Sequence, residues 1–128
     1  MPHCGGVSTF TELSEQAEQE IRAHVRSTSS ETAHHFVVDS TNYFVERGAV
    51  LLAALRLWAE SRHKTDADLR ALIDSASPTT LVNIARELAE SHSPDELHAS
   101  VQLEGIAYAP LSSLSDTLDF ARKGLQPG

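Results

Sequence analysis

The sequence predicts an all-α protein, a compact bundle of about five to six helices around one long central helix. Apolar residues recur at the three- and four-residue steps of a helix, and residues that cap helices precede most of those segments. Aromatic residues make up only 5% of the chain, so the core must be built mainly from Leu, Val, Ile and Ala, a composition that suits helices better than sheets. At 128 residues, the chain should form a single helical domain spanning residues 1–128.

The first helix is predicted from Phe10 to Ser27, after a flexible N-terminal segment of residues 1–8. Thr9 and Glu12 have the spacing of a capping box, in which each side chain bonds the backbone amide of the other residue. The apolar residues that then follow at helical spacing are Phe10, Leu13, Ala17, Ile21 and Val25. These steps place all five on one face of a helix.

The central helix is predicted over roughly residues 31–63, with Ser29 or Ser30 as its cap. Its apolar seam advances by alternating steps of four and three through Val37, Thr41, Phe44, Gly48, Leu51, Leu55 and Trp58. Because Gly48 lies on this seam, we expect another helix to cross closely there. The run from Ala49 to Leu57 is apolar on nearly all sides and should be the buried centre of the fold.

Three further helices are marked by the N-cap residues Thr65, Ser77 and Ser93. Pro follows both serines at the first helical position, and Glu96 would complete a capping box with Ser93. The apolar residues carried at helical spacing are Leu69, Leu72 and Ile73 in the third helix, Leu81, Ile84, Ala85 and Leu88 in the fourth, and Leu97, Val101 and Leu103 in the fifth.

The C-terminal part of the chain is predicted to contain one more helix. Gly105 should close the fifth helix in the left-handed conformation, and the segment IAYAP should be extended. Ser113, with Asp116, should then cap a last helix that ends at Gly124, before a frayed tail of residues 125–128. The apolar residues of this helix are Leu114, Leu118, Ala121 and Leu125. A small β component is the structural alternative, because residues 36–45 and 101–108 contain β-branched and aromatic side chains.

The charge balance excludes some classes of partner. The chain has ten Lys and Arg residues and 18 Asp and Glu residues, for a formal net charge of -8. We therefore expect no nucleic-acid binding and favour a protein partner, with a basic protein as the best match in charge. The longest apolar run, Ala49 to Leu55, is too short to cross a membrane. Cys4 is the single cysteine, and no secretory signal precedes it, which together indicate a cytoplasmic location.

Seven histidines raise the question of a metal site. Two-metal carboxylate bundles use Glu-x-x-His on two helices, and the chain has Glu31-x-x-His34 and Glu60-x-x-His63. Both pairs fall in the predicted central helix, about 40 Å apart along a straight helix, so we expect no metal and no cofactor. A His/carboxylate metal-binding bundle is kept as an alternative, and His34 is a candidate pH-sensing or ligand-contacting residue at the edge of the seam.

A second alternative is metal-independent RNA cleavage. Arg86 with His92, and Arg56 with His63, have a spacing that resembles the Arg-x(4–6)-His motif of the HEPN-family ribonucleases; nothing else in the chain resembles that family. The resemblance would imply that Arg86 holds the scissile phosphate and that His92 acts as general acid or base.

The function expected from the sequence is a non-catalytic protein-binding module that acts as a small cytoplasmic regulator, adaptor or inhibitor. The long seam, the acidic surface and the absence of a convincing catalytic set favour this function, and the expected assembly is a helical homodimer. Phe36 and Tyr43 are apolar residues off the seam and are the candidate partner face; the alternative is that other helices cover them.

Overall fold

Six helices and no strand make up the residues that the structure describes. The computed structural model covers residues 9–28, 35–91 and 93–125, and it describes only the backbone of residues 25–28 and 35–41. The helices are α1 (Phe10–Thr28), α2 (His35–Arg62), α3 (Asp66–Asp74), α4 (Pro78–Ala89), α5 (Pro94–Ala107) and α6 (Leu111–Gly124). The all-α prediction is confirmed. The strand alternative is wrong, because residues 36–45 belong to α2 and residues 101–107 belong to α5.

The long helix α2 is the centre of the bundle and contacts each of the other five helices. It begins at His35 among the described residues, whereas the expected caps Ser29 and Ser30 lie outside them. His63 ends the helix with a positive φ of 56°, and the Lys64 amide donates to the Ala59 carbonyl over 3.1 Å. The predicted C-terminal boundary near residue 63 is thus confirmed.

The middle of α2 is buried on nearly every side, as its apolar run predicts. Its fully or almost fully buried residues are Ala49, Leu51, Leu52, Ala53, Ala54, Leu55, Leu57 and Ala59. The other helices supply the side chains around it, among them Ile21, Leu69, Leu81, Leu88 and Leu103. A helix that is apolar all round is stable only inside a bundle, which explains why α2 is the axis of the fold.

Helix α6 crosses α2 at Gly48, as predicted. A Cβ on Gly48 would lie 2.9 Å from the Phe120 Cβ and 3.0 Å from the Ala121 backbone nitrogen, closer than a real Cβ can approach. On the other helix, a Cβ on Gly124 would lie 2.7 Å from Leu52 Cδ2. Gly48 therefore lets the backbones of α2 and α6 come together, and Gly124 leaves room for the Leu52 side chain.

The predicted N-caps of four helices are present. Thr9 and Glu12 form a complete capping box, with both bonds at 3.1 Å, and Thr65 and Asp68 form another. Ser77 and Ser93 each accept a bond from the backbone amide three residues on. The capping box expected for Ser93 is only half formed, because the Ser93 amide donates to Ser91 Oγ instead of to a Glu96 carboxylate.

The boundary between α5 and α6 differs from the prediction. Gly105 does not end α5: the helix continues through it to Ala107, and a short turn replaces the expected extended segment. Helix α6 begins at Leu111, two residues before Ser113, and no side chain caps it. Pro110 sets this boundary, because its fixed φ suits the position just before a helix.

The C-terminal end of α6 is held against α3. Arg122 Nε donates to Asp74 Oδ1 over 2.7 Å, and Arg70 Nη2 donates to the Leu125 carbonyl over 2.6 Å. Leu125 itself is buried, so the predicted tail does not include it; residues 126–128 and the predicted flexible segment 1–8 lie outside the described residues.

No helix among the described residues has both the length and the apolar character needed to cross a bilayer.

Candidate functional site

The exposed large apolar side chains concentrate on one part of the surface. Among the described residues they are Tyr43, Leu97, Val101, Tyr108 and Leu111. Four of the five lie within residues 97–111, on α5, in the turn that follows it and at the start of α6. Single exposed apolar residues are ordinary, but a group of four in 15 residues is the kind of patch that marks a contact surface.

Helix α5 is apolar on two opposite faces. The inner face is buried and carries Ala99, Ser100, Leu103, Ile106 and Ala107. Leu97, Val101 and Tyr108 follow at steps of four and seven, so they lie together on the opposite side. We call these three residues, with Leu111, the outer face of α5; their exposed fractions are 42%, 66%, 69% and 71%. Apolar faces of helices are normally covered, and this one is exposed.

Leu97 and Val101 were predicted to share the apolar face of the fifth helix with Leu103, and this grouping is wrong. Leu103 is fully buried, whereas Leu97 and Val101 are exposed. Both stripes satisfy helical spacing, and the inner stripe is built partly from small residues, Ala99 and Ala107, that the pattern did not single out. Tyr108 was not included in the prediction, although its spacing of seven residues from Val101 continues the stripe of Leu97 and Val101.

Tyr43 lies at the surface, and it is half exposed. Its ring packs edge to face against Phe44, with centroids 5.0 Å apart, and the Arg47 guanidinium lies over it at 5.6 Å. The structure thus places one of the two predicted partner-face residues where a partner can reach it. The backbone of Phe36 belongs to α2, but its side chain is not described.

The metal-site hypothesis concerns residues that are only partly described. Glu31 and His34 lie outside the described residues. The role of His34 in pH sensing or ligand contact therefore stays a prediction. Glu60 lies in the last turn of α2 and His63 in the turn after it, and both are exposed. Within residues 9–28, 35–91 and 93–125, no three His, Cys, Asp or Glu residues are grouped closely enough to hold a metal ion.

Of the two arginines in the ribonuclease alternative, Arg56 already binds a carboxylate. Arg56 Nη1 donates to Glu20 Oε1 over 2.7 Å, and the hollow beside it is also lined by Glu60 and Asp66. A guanidinium that already binds a carboxylate among other acids is poorly placed to hold a phosphate. Arg86 is exposed on α4, and His92 lies outside the described residues.

The neighbour of Arg86 has a structural role. Glu87 Oε1 accepts a hydrogen bond from Trp58 Nε1 at 2.9 Å and forms an ion pair with Arg62 Nε at 3.0 Å. This carboxylate joins α4 to the C-terminal half of α2. The acidic residue that follows Arg86 in the sequence is therefore used in packing.

Known proteins offer no match: no protein-family model, no curated protein and no solved structure matches this chain. What the described residues define is an all-α bundle with an exposed apolar face on α5.

Proposed function

We propose that this chain is a non-catalytic protein-binding module, a small cytoplasmic regulator, adaptor or inhibitor that assembles as a homodimer through the outer face of α5. The observation that carries the proposal is the second apolar face of that helix, formed by Leu97, Val101 and Tyr108 and extended by Leu111. Covering these side chains would remove apolar surface from water, which is the main favourable term in protein association.

Charge favours a second copy of the chain as the occupant of this face. The chain carries a net charge of -8, so two copies repel each other over most of their surface. Among the exposed residues of α5, however, Glu104 is the only carboxylate. A two-fold contact along this helix therefore brings few charges together, the main one being Glu104 of each copy at the edge of the patch, and the same apolar patch on each copy suits such an interface.

The cytoplasmic location in this proposal rests on Cys4, the single cysteine of the chain. A chain with one cysteine has no internal disulfide to gain from an oxidising compartment.

The homodimer is tested by placing a charge in the middle of the face. Val101→Glu should convert a dimer into a monomer, because the carboxylate would be buried without a partner. Ala23→Glu is the matched control, since Ala23 is an exposed residue of α1 and gains the same charge away from α5. Light scattering after size exclusion measures the mass, and circular dichroism checks that both variants stay helical.

A monomeric wild-type chain at tens of micromolar would contradict the homodimer. Equal masses for Val101→Glu and the wild type would show that the interface lies elsewhere. The ribonuclease alternative predicts instead that the chain cleaves single-stranded RNA without added metal and that His92→Ala abolishes cleavage. The metal alternative predicts bound metal that is lost when His34 is changed.

A further inference from the structure

A second surface lies on the side of the bundle where α1, α2 and α5 meet. Two adjoining hollows share Glu46, Val50 and Gln102 and together form one elongated depression. We call it the trough; it extends from Phe10 and His98 at one end to Tyr43 and Ile106 at the other. From Val50 to Tyr43 the trough follows α2 for about 10 Å, roughly two helical turns.

The floor of the trough is apolar and firmly built. Phe10 and Ala49 are almost completely buried beneath it, and Val50 is partly exposed in it. The Phe10 ring meets the His98 ring edge to face, with centroids 4.9 Å apart, and this contact fixes the end wall. Such a floor offers an occupant apolar contacts without requiring a rearrangement of the bundle.

The rim of the trough is acidic. Glu15 and Glu18 from α1 and Glu46 from α2 line it. Glu18 is paired with Arg22 at 2.8 Å, but Glu15 and Glu46 form no ion pair with any described residue. Two uncompensated carboxylates beside an apolar floor favour an occupant that brings positive charge to its edges.

The opposite end of the trough has one unsatisfied donor. Arg47 Nε is buried and has no hydrogen-bond partner among the described residues, while the rest of the guanidinium lies over Tyr43. Arg47 as a whole is only partly buried, so its side chain is a further polar group at this end of the trough. Tyr and Arg are also the residue types that most often dominate binding energy at interfaces.

We propose that the trough binds a basic amphipathic helix of a partner protein. Its apolar residues, spaced i, i+4 and i+7, would contact Phe10 and Val50, its Lys or Arg residues would pair with Glu15 and Glu46, and a carbonyl or carboxylate would accept from Arg47. A helix fits because the walls are themselves helices and the described residues present no strand edge to extend. A nucleic acid is a poor occupant of the trough, because the acidic rim would repel its phosphates.

A second copy of the chain is a poorer occupant. The exposed apolar stripe on a described helix is that of α5, and its exposed charged neighbour is Glu104. Inserting that helix would bring a carboxylate against Glu15 and Glu46. The trough therefore needs a partner of the opposite charge, and the inference depends on the proposed protein-binding role but not on the α5 homodimer.

The experiment measures binding of a fluorescein-labelled helical peptide with Leu at i, i+4 and i+7 and Lys on both flanks. A matched peptide carries Glu in place of every Lys. Fluorescence anisotropy should show binding of the Lys peptide only. The double change Glu15→Gln with Glu46→Gln should weaken it about tenfold, because two partly exposed ion pairs are lost. Tyr43→Ala should weaken it by a similar factor.

The matched control is Glu60→Gln with Glu90→Gln, which removes the same charge from exposed positions outside the trough and should leave the affinity unchanged. The inference is overturned if the Lys peptide does not bind, if the two peptides bind equally, or if the rim variants bind like the control. It is also overturned if the rim variants change the oligomeric mass, which would make a second copy the occupant.

The two proposals fail separately. The Val101→Glu variant, monomeric if the α5 interface is correct, should still bind the Lys peptide. Binding by a chain that is always monomeric would support the trough while contradicting the homodimer. A dimeric chain that does not bind the peptide would support the homodimer and contradict the trough.

Discussion

Gly48 and Gly105 have different structural roles because their surroundings differ. Gly48 lies where the α6 backbone passes within contact distance, whereas a Cβ at Gly105 would meet no atom within 4 Å. The sequence predicted the first correctly, because Gly48 falls on a sustained apolar seam. The prediction that Gly105 ends a helix was wrong. A glycine after an apolar run is a common stop signal, and nothing local indicates that the helix continues.

This contrast predicts opposite effects of the same substitution. Gly48→Ala should lower the free energy of unfolding by about 1 to 3 kcal/mol, since α2 and α6 must move apart. Gly105→Ala should raise it by about 0.5 to 1 kcal/mol, since alanine has a higher helix propensity and the space is open. Urea denaturation measures both. A destabilised Gly105→Ala variant would mean that the residue contacts something outside the described chain.

At the scale of helices, the starts of α1, α3, α4 and α5 were easier to predict than the faces. Thr9, Thr65, Ser77 and Ser93 all cap helices as expected, because a capping interaction involves residues only three apart. The inner face of α5 could not be separated from its outer face, because both have helical spacing. Only the positions of α2 and α4 decide which stripe is buried.

The packing of α5 on α4 depends partly on one buried hydroxyl. Ser100 Oγ donates to the Ala85 carbonyl over 2.8 Å, and Ser100 is 7% exposed. Ser100→Ala should reduce the free energy of unfolding by about 1 kcal/mol, because the bond is lost while the carbonyl keeps its partner within α4. Thermal unfolding measures the change. An unaltered transition temperature would show that the inter-helix bond contributes nothing to stability.

The capping box of α3 should make stability depend on pH. The Thr65 backbone amide, followed by the Thr65 hydroxyl, lowers the pKa of Asp68 below its ordinary value of 3.8. A lowered pKa means that the ionised carboxylate stabilises the folded chain above pH 3.8, and that this contribution is lost as the pH falls through the folded-state value. Asp68→Asn should therefore unfold at a lower temperature than the wild type near neutral pH, and the difference should shrink in acid. A difference that is constant with pH would contradict the role of the charge.

The whole molecule combines an acidic surface with two proposed contact regions, both apolar but of different character. The outer face of α5 has few charges, and the trough is bordered by Glu15, Glu18 and Glu46. Added salt should weaken peptide binding at the trough, because it screens the ion pairs. The same salt should leave the α5 dimer unchanged or tighten it, since it reduces repulsion between two acidic chains. Titrations at low and high ionic strength measure the affinity of peptide binding and of dimerisation. If salt weakened both alike, the proposed difference between the two regions would be contradicted.

Neither contact region could have been predicted in full from the sequence. Tyr43 was predicted as a partner-face residue from its position off the seam, and it lines the trough. Glu15 and Glu46 come from different helices and meet only because α1 packs on α2. Sequence spacing carries no information about that meeting, since it depends on how two helices cross.

The most direct test of the central claim is sedimentation equilibrium of the unmodified chain over a dilution series, with Val101→Glu and Ala23→Glu beside it. The proposal predicts a mass twice that of one chain for the wild type and for Ala23→Glu, falling toward one chain on dilution, and a single-chain mass for Val101→Glu at every concentration. A wild-type chain that stays monomeric throughout, or a Val101→Glu chain that stays dimeric, would contradict it.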